Sequence, residues 1–403
     1  MAASHSQARD TQWLTGYAWA LTLGALLCLP LSWVHHELGA LRSWQLLLSP
    51  LLFLGLAPRR FRPLDAPGPS RRLILTSWAV ALIWLLTAQW LKYFAFAVYG
   101  IDFSIFDWML HNTLNGRFMY SPIYEVNHFG VHPSYWMLLL VPLHALWPSP
   151  LMLTTVTALV VWGGCLPLWH LVRGRTGNGW LAWLACVAYL TCAYTGRILD
   201  GGFRPEVLYP LAGFTLLLAW ERQRWVFPAA LLLLSVKEDA ALYLAGFALA
   251  VLVSQRARWR SALGLLLLSV LVFGLNVGVV QPAALASSGA ERPLYMSFWS
   301  DYGATMSEVV RFMLTHPLRV AGDVLTSSLL ELFGPLLLLP LFSSRAMGMM
   351  LPGLVLLGSA TYPLMRDFGS YYAIPLLAPP SGAPWIRAPL RGPHVMRTWR
   401  VRC

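Results

Sequence analysis

Seven side chains able to carry protons, hold a phosphate or ligate a metal crowd into residues 101–135, IDFSIFDWMLHNTLNGRFMYSPIYEVNHFGVHPSY: Asp102, Asp107, His111, Arg117, Glu125, His128 and His132. Only 11% of the chain is charged, so this density singles the stretch out as the place where chemistry would happen. Asp102 or Asp107 could take a proton from a hydroxyl as general base, with Glu125 assisting. The plainer alternative makes both aspartates helix N-terminal carboxylates stabilised by the dipole. His128 and His132 stand four apart, a metal-ligand spacing on a helix. Gly130 between them and Pro133 after them argue against a regular helix, so positioning or hydrogen bonding outweighs a metal role. A divalent metal is the one cofactor these residues leave open.

Two shorter polar stretches follow. Arg204-Pro-Glu206 lies in RILDGGFRPE, and Lys237, Glu238 and Asp239 interrupt two half-length apolar pieces. An ionisable group at mid-bilayer costs roughly 2.5–3.5 kcal/mol on insertion scales, so such groups are functional by default. Arg117, Arg204 or Lys237 could grip a phosphate through charge-assisted bonds. The competing reading is an internal salt-bridge network that fixes helix packing. No Gly-rich phosphate loop, GxSxG or Walker pattern supports soluble-nucleotide chemistry.

What must position these groups is a membrane bundle. The chain has 403 residues, 57% of them hydrophobic, with 20 Trp. Its repeated apolar runs approach or exceed the roughly 20 helical residues that cross a hydrocarbon core, which excludes a soluble globular protein. The formal charge of +12 comes from short Arg-rich clusters between those runs. Such clusters report cytoplasmic loops and give no basic, aromatic-interleaved surface for nucleic acid. The five cysteines (Cys28, Cys165, Cys186, Cys192 and Cys403) show no paired spacing and read as small buried hydrophobes.

Runs at 13–34 and 44–57 form an N-terminal hairpin, closed by RRFRPLDAPGPSRR, whose five arginines place that loop and the N-terminus inside. Residues 1–72 make this first unit, and 73–378 make the membrane-embedded core. Leu73–Gly100 crosses outward, and an amphipathic surface helix, N-capped by Ser104 and stopped at Gly116, carries Asp107 and His111 on one face. Tyr135–Trp147 is too short to cross, whereas Leu151–Val172 is a full span. Parity then puts loops 101–134, 197–206 and 281–323 on the extracytoplasmic side. In the last of these a surface helix sets Glu308 three residues from Arg311. Residues 226–254 fold as a hairpin that lifts Lys237–Asp239 towards that side. Hairpin 324–342/347–365 follows, and the Pro- and Arg-rich tail 379–403 reads as a truncated or frame-changed end.

The run from Asp102 to Asp107 (DFSIFD), Asn112-Thr113, Gly116, Asn127 to His132 (NHFGVH), Phe203 to Glu206 (FRPE), Val236 to Asp239 (VKED) and Tyr371-Tyr372 resemble the bacterial and archaeal membrane family known as domain of unknown function 2079, over roughly residues 75–378. Ser104 and Trp108 replace a Gly and a Gln usual there, and Arg204 replaces a His. That family in turn resembles the C-type glycosyltransferase superfold. The resemblance implies an all-α polytopic protein of about nine to eleven transmembrane or re-entrant helices in the plasma membrane. It would transfer a sugar from a polyprenyl-phosphate carrier to an extracytoplasmic acceptor. Asp102 would be the base and Asp107 and Glu125 its helpers. Arg117, Arg204 and Lys237 would contact phosphate. Asn127, His128, His132, Glu206, Glu238, Asp239, Tyr371 and Tyr372 would line the substrate site. A lipid or ion transporter, a flippase and a non-catalytic assembly protein remain the alternatives.

Overall fold

The computed structural model describes residues 68–98, 100–191, 193–289, 294–327, 329, 332 and 344–367. The N-terminal hairpin, most of the expected 324–342 span, Tyr371, Tyr372 and the tail lie outside the described residues. What is described is an all-α membrane protein with a single two-stranded β-ribbon.

Helix α1 (Arg71–Phe94) is capped by Ser70, whose side chain accepts from the Leu73 amide. Its 24 residues rise about 36 Å, enough to cross a bilayer. It turns Leu75, Val80, Ile83 and Leu91 outward, a face suited to lipid. Helix α2 (Gly100–Leu114) begins five residues earlier than the Ser104 cap predicts. Asp102 occupies its first turn, where a carboxylate meets the positive end of the dipole, and the Ser104 hydroxyl instead donates back to the Gly100 carbonyl. Nor does α2 lie on a membrane surface: Phe103, Ile105, Phe106, Met109 and Leu110 are buried in the protein core. Gly116, at φ 83°, does stop it as expected.

A ribbon of β1 (Tyr120–Ser121) and β2 (Val126–Asn127) pairs Tyr120 with Asn127 and Ser121 with Val126. A 3-10 turn at His128–Gly130 and another at Tyr135–Leu139 lead into α3 (Leu140–Leu146), so this segment is a short helical wedge. Helices α4 (Pro150–Gly163) and α5 (Cys165–Thr176) form a continuous span of 27 residues, capped by Ser149 and stopped by Gly177 at φ 69°. Helices α6 (Gly179–Thr191) and α7 (Ala193–Asp200) return, and α8 (Leu208–Arg222) follows a 3-10 turn at Pro205–Val207. The predicted hairpin exists as α9 (Val226–Leu234) and α10 (Ala240–Ser254), with Lys237–Asp239 at its tip.

Helix α11 (Trp259–Leu275) runs through a π-helical segment at Asn276–Val280 into α12 (Gln281–Ala286). Residues 281–286 therefore extend a span and do not begin a loop. Helix α13 (Met306–Thr315) and helix α14 (Pro317–Leu325) meet at an elbow. Glu308 does not pair with Arg311: its carboxylate accepts from the Ala304 and Thr305 amides in a capping box. Helix α15 (Ser344–Gly358) packs against α10 at Gly246 and Gly348, where a Cβ on Gly246 would sit 2.1 Å from the Gly348 carbonyl. A last turn, α16, spans Pro363–Arg366.

Side-chain ties fix the directions. Trp183 and Trp162 bond Ser77 and the Trp78 carbonyl near the start of α1. Trp90 bonds Thr155, Gln89 bonds the Leu199 carbonyl and Lys92 bonds Asp200 near its end. So α4–α5 is antiparallel to α1, and α6–α7 is parallel to it. Arg175 pairs with Glu221, and Trp220 bonds Gln255, which gathers the Arg71, Arg173, Arg222 and Arg256 clusters at one end of the bundle. The connectors holding Asp102, Arg204 and Lys237 lie at the other.

Candidate functional site

The polar stretches at 102, 128–132, 204–206 and 237–239 converge. Asp102, in the first turn of α2, accepts from the Arg204 guanidinium at 2.5 Å. Arg204 is bent into place by Gly201-Gly202: a Cβ on Gly201 would stand 3.1 Å from Arg204 Nε, and Gly202 adopts φ +76° hard against Phe103 and Val98. Two residues on, Glu206 accepts from Lys237 Nζ at 3.2 Å. Next to Lys237, Glu238 Oε1 lies 2.8 Å from His132 Nδ1, and Asp239 accepts from the Tyr209 hydroxyl. The ion pairs Asp102–Arg204 and Glu206–Lys237 and the Glu238–His132 hydrogen bond thus follow one another through neighbouring residues. The side chains of Arg204, Glu206, Lys237 and Glu238 are each 13% exposed or less, whereas Asp102 keeps 27% and His132 23%. Asp102 and His132 therefore form the open side of the cluster.

Backbone and aromatic ties hold the connectors together. The Trp136 indole donates to the Pro205 carbonyl at 3.2 Å, and the Trp136 amide to Ser235. Tyr135 donates to Asn276 at 2.5 Å inside the π-helical segment, and Gln281 donates to the Val131 carbonyl. A π-turn re-aims side chains that a regular helix would carry past, and here it delivers Asn276 to Tyr135 at the end of the His132–Tyr135 segment. These partners, with Tyr209 and Tyr243, whose rings lie 5.7 Å apart, were not singled out in the sequence. The signal that could have found Asn276 and Gln281 is their polarity inside an apolar run.

Helices α8 and α10 each have 15 residues and rise about 22 Å from the arginine end. That is short of the roughly 30 Å hydrocarbon thickness, so the cluster is recessed below the far face. Its electrostatics follow from that burial. Asp102 is raised above the usual carboxylate value, first by burial and then by Glu206, with Arg204 opposing. His128 is pushed down to about 3 by burial, with His132 and Lys237 adding to the effect.

Other candidates stand apart. Asp107 lies 3.9 Å from His144 on α3, and burial raises its carboxyl against the opposing His144 and His111. Glu125 is exposed at the ribbon turn with φ 55°. Arg117 is exposed over the Tyr120 ring at 5.9 Å. The Asn127 side chain accepts from the Phe129 amide and so caps the His128 turn. His128 and His132 present their rings 5.8 Å apart on an irregular turn. Among the described residues no group of three or more His, Cys, Asp or Glu side chains is disposed to hold a metal ion. A groove along α13, lined by Met306, Val310, Arg311 and Leu314, includes no member of the cluster.

The family described as "predicted membrane protein (DUF2079)" matches residues 92–380. The chain belongs to that family. No curated protein and no solved structure matches it. The matched stretch opens at Lys92, which pairs with Asp200, and takes in all of the clustered residues. In this DUF2079 member, then, the ion-pair cluster belongs to the family region, whereas Arg71 and Arg72 precede it.

Proposed function

We propose that this protein is a plasma-membrane glycosyltransferase that moves a sugar from a polyprenyl-phosphate carrier to an extracytoplasmic acceptor. The observation that carries the reading is the convergence of Asp102, His132, Arg204, Glu206 and Lys237 at one recessed end of the bundle. The opposite end holds Arg71, Arg72, Arg173, Arg175, Arg222, Arg224, Arg256, Arg258 and Arg260. Positively charged loops stay in the cytoplasm, so the cluster faces the extracytoplasmic leaflet and the N-terminus lies inside.

The chemistry follows from the pairs. A donor phosphate competes with Asp102 for Arg204, and with Glu206 for Lys237. Its arrival frees the Asp102 carboxylate on the open side of the cluster. Asp102 then takes the proton of the acceptor hydroxyl as that oxygen bonds to the anomeric carbon. The bond from that carbon to the phosphate oxygen breaks, and its electron pair leaves with the phosphate. Arg204 and Lys237 neutralise the leaving group. Asp107 faces His144 instead of Arg204, so the base role falls to Asp102. Asp102→Asn should lower transfer about 10²-fold or more while inserting in the membrane as the wild type does; full residual transfer in purified protein would remove its assigned role.

A transporter needs a polar path to both faces. Apolar stretches 73–91, 151–169, 208–220, 240–254 and 261–286 contain no Asp, Glu, Lys, Arg or His, so these spans offer no ionisable relay from the cluster to the arginine end. Cysteines placed at Glu125 and at Arg224 test the sidedness. The first should react with an impermeant maleimide in intact cells and the second only after permeabilisation; the reverse pattern would turn the site inward.

A further inference from the structure

His128 is 4% exposed, and no protein atom bonds either ring nitrogen. Its ring is held edge-on to Phe106 at 5.5 Å and to His132 at 5.8 Å. Its placement on the turn is set by the Asn127 cap and by Gly130, where a Cβ would meet Leu285 at 2.7 Å. Within the same cluster, Glu238 Oε2, the Ser134 hydroxyl and the Tyr243 hydroxyl are also buried without a hydrogen-bond partner. These four residues are brought together through His132, Asp239 and Tyr209. Natural proteins bond buried polar atoms almost without exception. Several orphans around one ion-pair cluster mark a place built to bond something else.

The character of that ligand follows from the donor and acceptor inventory. A neutral imidazole offers one N–H and one lone pair, and burial keeps His128 neutral, its conjugate acid near 3. It suits a group that both gives and takes a hydrogen bond, as a hydroxyl does, and it offers an anion no charge. Cationic Lys237 lies within electrostatic reach of it, and Arg204 follows Phe203, whose ring packs on Phe106 beside His128. The cluster is therefore divided, with cations on one part and neutral hydrogen-bonding groups on the other.

We propose that His128, together with Ser134 and Tyr243, forms the subsite for the neutral, hydroxylated half of a glycosyl phosphate whose anionic half meets Arg204 and Lys237. This rests on the transferase reading and adds to it where the sugar sits and which residue discriminates it. A site built to bond hydroxyls rejects ligands that lack them far more strongly than an apolar pocket distinguishes shapes.

The test is binding to the full chain in nanodiscs. The probes are a polyprenyl phosphate and its glucosyl, mannosyl, galactosyl and arabinosyl esters, read by ligand-dependent thermal stabilisation and by titration. The wild type should prefer at least one sugar ester over the bare phosphate by tenfold or more. His128→Phe should erase that preference while keeping affinity for the bare phosphate, and His128→Gln should retain part of it. Arg204→Gln should weaken the bare phosphate and the sugar esters together. Undiminished sugar preference in both His128 variants overturns the subsite and leaves the transferase reading in place. Binding of the bare phosphate with no preference for any of the esters also overturns the subsite. A wild type that binds none of the five lipids overturns the transferase reading itself. If His128→Phe does not fold, His128→Gln decides between these outcomes.

Discussion

The two ends of the bundle use charge in opposite ways. At the arginine end the cations are mostly exposed, and they rest on tryptophan faces: Arg173 on Trp169, Arg224 on Trp225, Arg258 on Trp220 and Arg260 on Trp259. There a guanidinium keeps its water, gains a modest cation–π attraction and marks the side of the membrane. At the recessed end Arg204 and Lys237 are buried, and each faces a carboxylate. Burying such pairs carries a desolvation cost that attraction barely returns. A chain that needed only anchoring could have used the first arrangement at both ends. The second therefore points to a role besides stability.

The widest gap between the ends should come from matched deletions. Lys237→Met strands the Glu206 carboxylate in a buried place and should cost about 3–5 kcal/mol; Arg224→Met should change stability by no more than about 0.5 kcal/mol. Chemical unfolding in detergent compares them, and equal losses would erase the distinction. Lys237→Met combined with Glu206→Leu should recover most of the loss, because no lone charge remains. A smaller effect of about 1–3 kcal/mol is expected for Gly130→Ala, whose Cβ would meet the Leu285 side chain at 2.7 Å and its backbone nitrogen at 3.0 Å.

Acidity sharpens the contrast further. Between about pH 3 and 6.5 the unfolded chain binds a proton on His128 that the folded protein refuses, so His128 makes stability fall as pH drops through that window. Asp102 acts with the opposite sign: its raised folded value lets the native state hold a proton the unfolded chain has released, so stability falls as pH rises above 3.8. Unfolding midpoints across this range should flatten on the acid side in His128→Phe and lose the Asp102 contribution in Asp102→Asn. An unchanged profile in both would mean that neither group is buried as described. The smallest effect is expected for Arg117→Gln, within about 0.5 kcal/mol, since Arg117 is exposed over Tyr120.

Apolar length, arginine placement and the broken helix at 237–239 were legible in the sequence because each is a local property. The hairpin tip falls where Lys237, Glu238 and Asp239 predict it, since three ionisable residues in a row cannot continue an apolar helix. The start of α2 was misread at Ser104, because a hydroxyl that caps a helix and one that bonds back to the preceding turn look alike in one dimension. Asp102 and Asp107 were equally good carboxylates in the sequence. Five residues apart on a helix, they point in different directions, one to Arg204 and the other to His144.

By itself the sequence determined that this is a helical membrane protein and which stretches carry its charge, because hydrophobic length and charge clusters act on a bilayer segment by segment. Tertiary structure decided which carboxylate meets which cation, and that His128 is left with open hydrogen-bonding valences. Those outcomes join residues about a hundred positions apart, as Asp102 and Arg204 are. A pairing at that separation depends on how the spans pack, and no local pattern encodes it.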